Sequence, residues 1–183
     1  MNTGRDREGA VAALGLGGNI GDPVAAMARA LQQIDEREDC RVICVSALYR
    51  TPPWGKTDQA DFFNGCAIIE TQLQPEALLD ACLDIERGMK RERRERWGPR
   101  TIDIDILTFD GCEEKSARLE LPHPRMTERG FVLKPLSDIA PDLIVHGKTV
   151  ADWLAATVTE GIEQVSEDGN WWRQDQTATG GGF

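Results

Sequence analysis

Hydrophobic and polar positions follow two different periods along this chain of 183 residues. Apolar runs or alternation of period two, which are typical of β-strands, occur in residues 10–16, 41–49, 62–72 and 101–107. Apolar residues three and four positions apart, which predict amphipathic helices, occur in residues 23–37 and 75–89. Each helix starts at a proline, which is favoured in the first helical turn, and Asp22 is the predicted N-cap of the first.

The order strand, helix, strand, strand, helix, strand predicts a ferredoxin-like α+β fold, with both helices packed on an antiparallel sheet. Residues 50–59, between the second and third strands, contain two prolines and a glycine and are predicted to be irregular. After the core, helices are predicted at 125–130, 131–139 and 150–158, and an edge strand at 169–174. We expect one domain over residues 10–174, with a disordered tail at 1–9 and a flexible tail at 175–183.

Composition narrows the function classes. The net charge of -10 and the pI of about 4.7 argue against general nucleic-acid binding, which needs a broad basic surface. No run of 18 apolar residues and no apolar leader segment occur, so we expect neither a membrane span nor a secretory signal. The five cysteines form no C-x-x-C pair, which disfavours structural zinc and disulfides and favours the cytoplasm. We expect a monomer.

Two carboxylates stand out in the last core strand. Ile102, Ile104 and Ile106 alternate with Asp103 and Asp105, so one face of the strand is apolar and the other polar. Two residues of a strand advance roughly 6.6 Å, so both carboxylates point to one side and can converge on one or two small cations. A sheet with a solvated acidic face is the alternative.

The residues just before this strand are strongly basic. Residues 90–100 contain only two acidic side chains, Glu92 and Glu95, but six basic ones. The basic residues are Lys90, Arg91, Arg93, Arg94, Arg96 and Arg100. This local excess in an acidic chain suits a polyanion such as a triphosphate. Arginines beside metal-binding carboxylates are what phosphoryl transfer requires. The alternative is a helix end with surplus surface arginines.

The glycine-rich turn at residues 15–23 invites a nucleotide-binding interpretation. Its spacing is neither G-x-G-x-x-G nor that of a Walker loop, so a backbone turn is the better interpretation. Asn19 could still present its amide to a pocket over the strand ends.

Three further positions leave alternatives open. Trp54 lies in a proline-rich loop and is predicted either to form a binding wall or to pack into the body of the protein. Asn64 lies among aromatic residues and either binds the edge of a heterocycle or satisfies a neighbouring backbone group. The extended segment 118–124 holds His123 between two prolines.

Four segments together match one known family: residues 15–19, 49–64, 91–107 and 121–131. The most specific parts are Arg-Trp-Gly-Pro-Arg-Thr-Ile-Asp-Ile-Asp-Ile-Leu and Tyr-Arg-Thr-Pro-Pro-Trp-Gly. On these motifs the chain resembles the 6-hydroxymethyl-7,8-dihydropterin pyrophosphokinase family of folate biosynthesis. The resemblance implies transfer of the terminal diphosphate of ATP to the pterin hydroxymethyl oxygen, with release of AMP and with two Mg²⁺ ions.

The resemblance also implies a role for each matching residue. The catalytic residues would be Arg91, Arg93, Asp103 and Asp105, of which Asp103 and Asp105 bind both metal ions and the two arginines lie on a mobile loop. The ATP site would comprise Glu86, Arg93, Arg96, Trp97, Arg100, Ile106, Arg118, His123 and Arg129. The pterin site would comprise Thr51, Pro52, Trp54, Phe62, Asn64, Trp97, Asp103 and Phe131.

Five positions depart from the family pattern: Gly18, Lys90, Phe62, Trp54 and Pro124. They affect the expected loop motions and substrate affinity but remove no charge from the metal centre. Because no histidine or cysteine nucleophile stands beside the carboxylates, direct transfer is favoured over a phospho-enzyme. The rival interpretations are a nucleotidyl or single-phosphoryl transferase using the same metals, and a non-catalytic ferredoxin-like binding module.

Overall fold

The computed structural model describes residues 8–53, 58–90 and 102–173. The strands of this part are β1 (Ala10–Gly18), β2 (Cys40–Val45), β3 (Tyr49–Thr51), β4 (Phe62–Thr71), β5 (Asp103–Phe109), β6 (Glu114–Lys115), β7 (Glu120–Leu121), β8 (Ile144–Val145), β9 (Lys148–Thr149) and β10 (Glu163–Gln164). The helices are α1 (Pro23–Asp35), α2 (Pro75–Lys90), α3 (Gly130–Ile139) and α4 (Val150–Ala155), with a 3₁₀ turn at Met126–Glu128.

The main sheet has six antiparallel strands in the order β10-β3-β4-β1-β5, and β2 also pairs with β4. The outer core strand β5 and the β2/β3 pair flank the central strands β1 and β4, which is the strand order of a ferredoxin-like fold. The predicted fold class is confirmed. The two short hairpins β6-β7 and β8-β9 lie outside this sheet.

The predicted strand 41–49 is in fact two strands, β2 and β3, which pair with successive parts of β4. Between them, the N–H of Ser46 still donates to Cys66 O on β4, but the backbone of Leu48 bonds to another segment: its N–H donates to Ser166 Oγ, and its carbonyl accepts from the N–H of Val165. Strand β3 then continues through Arg50 and Thr51, so the prediction of irregular structure from residue 50 was wrong for these two residues. Residues 54–57 of that loop lie outside the described ranges.

Helix α1 begins as predicted. Asp22 Oδ1 accepts a 3.0 Å hydrogen bond from the N–H of Ala25, and Pro23 occupies the first turn. The helix ends at Asp35, two residues earlier than predicted. The N–H of Arg37 bonds to Ile34 O, three residues back, which closes a turn instead of continuing the helix.

Two apolar cores lie on opposite faces of the sheet. The first packs α1 and α2 against Leu14, Leu16 and Ile104. The second packs α3 and α4 against Ala13 and Cys66. Because side chains alternate along a strand, β5 sends Ile104 and Ile106 into the first core and leaves Asp103 and Asp105 on the opposite face.

The predicted C-terminal edge strand was placed wrongly. The strand at this sheet edge is β10, whereas residues 169–172 form turns and Gln174 lies outside the described residues. These turns are fixed by tertiary contacts: Trp171 Nε1 donates to Ser46 O at 2.8 Å, and Trp172 is buried in the first core. Helix α4 also ends at Ala155 and not at Val158, because the N–H groups of Ala156 and Thr157 bond to carbonyls three residues back, which closes a turn. Of the predicted helix 125–130, the structure forms only the 3₁₀ turn.

Both predicted tails stay predictions, because residues 1–7 and 174–183 fall outside the described residues. Within residues 8–53, 58–90 and 102–173, no helix has the length and apolar character needed to cross a bilayer.

Candidate active site

A cavity of about 980 Å³ opens on the face of the sheet that carries Asp103 and Asp105. Its floor is formed by β1, β4 and β5, and its side walls come from the end of β3 and the start of α3. Eight predicted site residues line this one cavity: Thr51, Pro52, Phe62, Asn64, Asp103, Asp105, Arg129 and Phe131. Residues that are up to 80 positions apart in the chain therefore meet in one place.

The two carboxylates face glycines across the sheet. Asp105 pairs with Gly15, and Asp103 pairs with Gly17. Both glycines and both carboxylates line the cavity, so the cavity reaches the sheet here. A Cβ atom at Gly17 would lie 2.6 Å from Asn64 Oδ1, whereas one at Gly15 would make only ordinary contacts with Leu107.

The predicted glycine-rich turn begins too early in the chain, because Gly15 and Gly17 lie inside β1. They in fact form the floor of the cavity and make room for the Asn64 amide. A sequence signal existed, since Gly15 and Gly17 alternate within a strand, and a glycine inside a strand often marks a close approach of another group. The identity of that group depended on the register of β1 with β4, which pairs Gly17 with Asn64.

Glu86 supports the carboxylate strand from behind. It is buried at the C-terminal part of α2, and its Oε1 accepts a 2.7 Å hydrogen bond from the backbone N–H of Ile104. That N–H lies between the two aspartates in the chain. Glu86 therefore fixes the strand segment that presents Asp103 and Asp105.

His123 lies next to the same strand. Its backbone N–H donates to Leu107 O, and its Nδ1 accepts from the N–H of Arg125 at 3.2 Å. The preceding Leu121-Pro122 peptide bond is cis. Burial lowers the pKa of His123, an effect that the nearby Asp105 carboxylate opposes and the Arg129 guanidinium reinforces. The neutral ring, with Nδ1 as acceptor, carries its proton on Nε2.

The opposite part of the cavity is aromatic and weakly polar. The Arg129 guanidinium lies over the Phe131 ring, 5.7 Å from its centroid. Thr51 pairs with Phe62 across β3 and β4 and is buried, yet its Oγ1 has no hydrogen-bond partner among the described residues. A buried hydroxyl without a partner is costly, so a ligand that satisfied it would gain affinity.

Asn19 does reach the cavity. Its Nδ2 donates to Gln59 Oε1 at 3.3 Å and to Ala60 O at 3.4 Å. The amide therefore joins the turn after β1 to the loop before β4, and all three residues line the cavity.

Other predicted residues lie outside this lining. Glu86 and His123 act through β5 as described, and the Ile106 side chain is buried in the first core on the opposite face. Arg118 is ion-paired with Asp80 and Glu76 on α2. The remaining predicted residues lie outside the described ranges: Trp54, Arg91, Arg93, Arg96, Trp97 and Arg100.

A family match and two curated relatives indicate the same protein family. Residues 13–141 match the family described as 7,8-dihydro-6-hydroxymethylpterin-pyrophosphokinase. The chain is 50% identical over 152 residues to the 2-amino-4-hydroxy-6-hydroxymethyldihydropteridine pyrophosphokinase of Methylorubrum extorquens, covering 83% of this chain and 96% of that relative. It is 43% identical over 151 residues to the Pseudomonas aeruginosa protein of the same name, covering 82% of this chain and 93% of the relative.

A solved structure agrees on the fold. The wild-type Plasmodium falciparum HPPK-DHPS protein with pteroate superposes with a TM-score of 0.68 at 16% identity, covering 87% of this chain and 48% of that one. This chain thus spans about half of that longer protein. On the family match and the identities to the two bacterial relatives, the chain belongs to the 7,8-dihydro-6-hydroxymethylpterin-pyrophosphokinase family.

Proposed function

We propose that this protein transfers the diphosphate of ATP to the hydroxymethyl oxygen of 6-hydroxymethyl-7,8-dihydropterin in folate biosynthesis, releasing AMP. The family and the names of the bacterial relatives support this activity. One observation links this activity to particular residues. A single cavity has a pair of carboxylates at one side and a wall lined by aromatic rings and an amide at the other. A transferase that joins a charged phosphate donor to a flat ring needs both.

The pterin is proposed to bind between the rings of Phe62 and Phe131. A flat neutral heterocycle is well recognised by stacking together with a few fixed polar groups. The Asn64 amide, held over Gly17, is one such group, and the unpartnered hydroxyl of Thr51 is a second. Pro52 completes this wall, and the predicted contacts of Trp54 and Trp97 stay predictions.

Asp103 and Asp105 are proposed to bind the two Mg²⁺ ions. Carboxylate oxygens are preferred Mg²⁺ ligands, and Mg²⁺ at nucleotide sites takes one or two carboxylates and completes its shell with phosphate oxygens and water. The described residues fit this, since Asp103 and Asp105 lie two positions apart on β5 and both line the cavity. Bound there, Mg²⁺ would neutralise charge that develops as the pterin oxygen attacks the β-phosphorus in line.

The triphosphate is proposed to lie near Arg129 and His123. Asp105 and Arg129 line the same cavity, and the backbone N–H of His123 donates to Leu107 O on β5, the strand that carries Asp105. A neutral imidazole with a proton on Nε2 donates a hydrogen bond to a phosphate oxygen without adding charge. Arg118 would have to leave its carboxylate partners on α2 to reach ATP.

The remaining assignments of the ATP site stay predictions. They comprise the contacts of Glu86 and Ile106, and the roles of Arg91, Arg93, Arg96, Trp97 and Arg100 in a loop that closes over the phosphates. We also propose a single domain over residues 10–174, which the shared six-stranded sheet supports, acting as a cytoplasmic monomer. The cysteines at positions 40, 44, 66, 82 and 112 are all free, as is usual in a reducing compartment.

Phosphorus NMR of a reaction with ATP, Mg²⁺ and 6-hydroxymethyl-7,8-dihydropterin tests the proposal. We expect AMP and a pterin diphosphate as the two products. Formation of ADP would indicate single-phosphoryl transfer, and release of free pyrophosphate would indicate nucleotidyl transfer. Absence of any product would favour a binding module, and each of these three results would overturn the proposed reaction.

A further inference from the structure

The stretch of residues 158–164, here called the C-terminal bracket, packs against both side walls of the cavity. Its residues Val158 and Ile162 both lie against Gly130, the first residue of α3. A Cβ atom at Gly130 would lie 2.6 Å from Val158 O and 3.1 Å from Ile162 Cδ1. Gly130 stands between Arg129 and Phe131, so the bracket abuts the backbone that carries these two cavity residues.

The bracket also contacts the wall at the end of β3. Gly161 has a φ of +82°, and a Cβ atom there would lie 3.5 Å from Pro52 Cδ. Strand β10 then pairs with β3, with Glu163 opposite Arg50, and their side chains form a 2.6 Å ion pair. Strand β3 is only three residues long. It has two neighbours in the sheet, and β10 is one of them.

These contacts connect Pro52 and Phe131 through one short piece of chain. We propose that the C-terminal bracket sets the separation of these two walls and thereby the width of the slot that receives the pterin ring, with Gly161 and Ile162 as positioning residues. This inference rests on the proposed function, because it assumes that the pterin occupies this slot. Of the cavity residues beside the bracket, Pro52 and Phe131 are assigned to the pterin and only Arg129 to ATP, so its effect should be larger on the pterin than on ATP.

A matched glycine pair tests the inference. Gly161→Ala and Gly147→Ala both place an L-residue in the left-handed region, at φ values of +82° and +79°. A Cβ atom at Gly147, in the β8-β9 hairpin, would meet nothing within 4 Å, whereas one at Gly161 meets Pro52. The two variants therefore share the backbone strain and differ in its location, which is beside the cavity wall for Gly161 and in a separate hairpin for Gly147.

The measurements are the Kd of α,β-methylene-ATP with Mg²⁺, and the Kd of 6-hydroxymethylpterin in the presence of that analogue. We expect Gly161→Ala to weaken pterin binding by about 5- to 20-fold and analogue binding by less than about twofold, since an L-residue is strained at a φ of +82° and its relaxation shifts the bracket that lies against Pro52. Both glycine variants should lower Tm by a few degrees. Gly147→Ala should leave the Kd values of the ATP analogue and of the pterin unchanged.

A second pair removes side-chain contacts without straining the backbone. Ile162→Ala deletes the group that packs on Gly130, whereas Val158→Ala alters a side chain that is 74% exposed in the same segment. We expect only Ile162→Ala to raise the pterin KM, with kcat changed less than KM, and this pair remains informative if Gly161→Ala fails to fold.

The outcomes separate the two proposals. If the wild-type protein binds the pterin and both Gly161→Ala and Ile162→Ala bind it equally well, the bracket has no positioning role. The same conclusion holds if the variants lose affinity for the ATP analogue as strongly as for the pterin, which would indicate general destabilisation. If the wild-type protein does not bind the pterin, the proposed function fails, and the bracket inference fails with it.

Discussion

The Glu86 carboxylate accepts a 2.7 Å hydrogen bond from the backbone N–H of Ile104, the residue between the two cavity aspartates. Strand β5 lies at the edge of the sheet and pairs only with β1 among the described strands. The Ile104 N–H that donates to Glu86 would otherwise be available to pair with a further strand. A helix side chain here replaces a neighbouring strand and holds the backbone from which Asp103 and Asp105 project.

We expect Glu86→Ala to lower the free energy of unfolding by about 1–3 kcal/mol, because it leaves the buried N–H of Ile104 without this acceptor. Glu86→Gln retains an oxygen at this position and should recover most of the loss. Urea unfolding measures both. As a control, Asp84→Ala on the same helix removes an exposed ion pair with Arg87 and should change stability by less than about 1 kcal/mol. Equal destabilisation by both Glu86 variants would show that charge, and not the acceptor, matters.

Much of this arrangement could be predicted from local sequence. The alternation of Ile102, Ile104 and Ile106 with the aspartates correctly separated a core face from a polar face, because the period of a strand depends only on its own residues. Asp22 and Pro23 likewise fixed the start of α1 locally.

Other features depended on residues far away in the chain. The interruption between β2 and β3 coincides with hydrogen bonds between Leu48 and residues 165 and 166, more than 110 positions later. The predicted edge strand at 169–174 failed for the same reason, since Trp171 and Trp172 are held by contacts with Ser46 and the first core. The hydrophobic pattern of a local segment carries no information about such distant partners.

Gly17→Ala tests the requirement for glycine in the cavity floor. The added Cβ would lie 2.6 Å from Asn64 Oδ1, so the amide must move. We expect pterin affinity to fall by roughly 10-fold or more, the usual result of displacing one buried polar contact. Gly88→Ala, at an exposed position of α2 outside the cavity lining, is the control, because its Cβ meets nothing within 4 Å. Isothermal titration with the ATP analogue present measures both, and equal affinities for Gly17→Ala and wild type would contradict the role of the Asn64 amide.

The single tyrosine of the chain provides a pH-dependent test of stability. Burial, together with the 2.7 Å hydrogen bond that Tyr49 donates to Asp138, raises the pKa of the Tyr49 phenol above its ordinary value near 10. Since the folded-state pKa is the higher one, the stabilisation is fully present below about pH 10 and is lost as the pH rises above it. The slope contributed by this group approaches about 1.4 kcal/mol per pH unit.

Tyr49→Phe separates this contribution from other groups that titrate at high pH. The variant should be less stable than wild type by about 0.5–1.5 kcal/mol at pH 7, where it lacks the hydrogen bond to Asp138. The difference should shrink as the pH rises above 10. Urea unfolding across pH 7–11 measures it, and the tyrosinate absorbance of the folded protein gives an independent titration. A difference that is constant with pH, or ionisation near pH 10 in the folded protein, would contradict the prediction.

Asp103→Asn and Asp105→Asn test the metal site directly. An amide oxygen is a neutral and weaker ligand for a hard cation than a carboxylate, so each variant should lose Mg²⁺-dependent turnover by at least about 100-fold. A binding readout separates loss of metal from loss of fold. Mg²⁺ with α,β-methylene-ATP should raise the Tm of the wild-type protein, since a ligand that binds only the folded state stabilises it. This shift should be much smaller in either variant, while the Tm without ligand stays within a few degrees.

The control for these variants lies one residue beyond the same strand. Asp110 is exposed and has a φ of +47°, a conformation that asparagine tolerates well, so Asp110→Asn makes the same chemical change without strain. It should retain both turnover and the Tm shift, because Asp110 does not line the cavity. If Asp103→Asn and Asp105→Asn also retained both, the carboxylates would not be metal ligands, and the polar face of β5 would be a solvated surface. If Asp110→Asn lost the shift as well, the effect would follow from the total charge of the strand and not from two specific ligands.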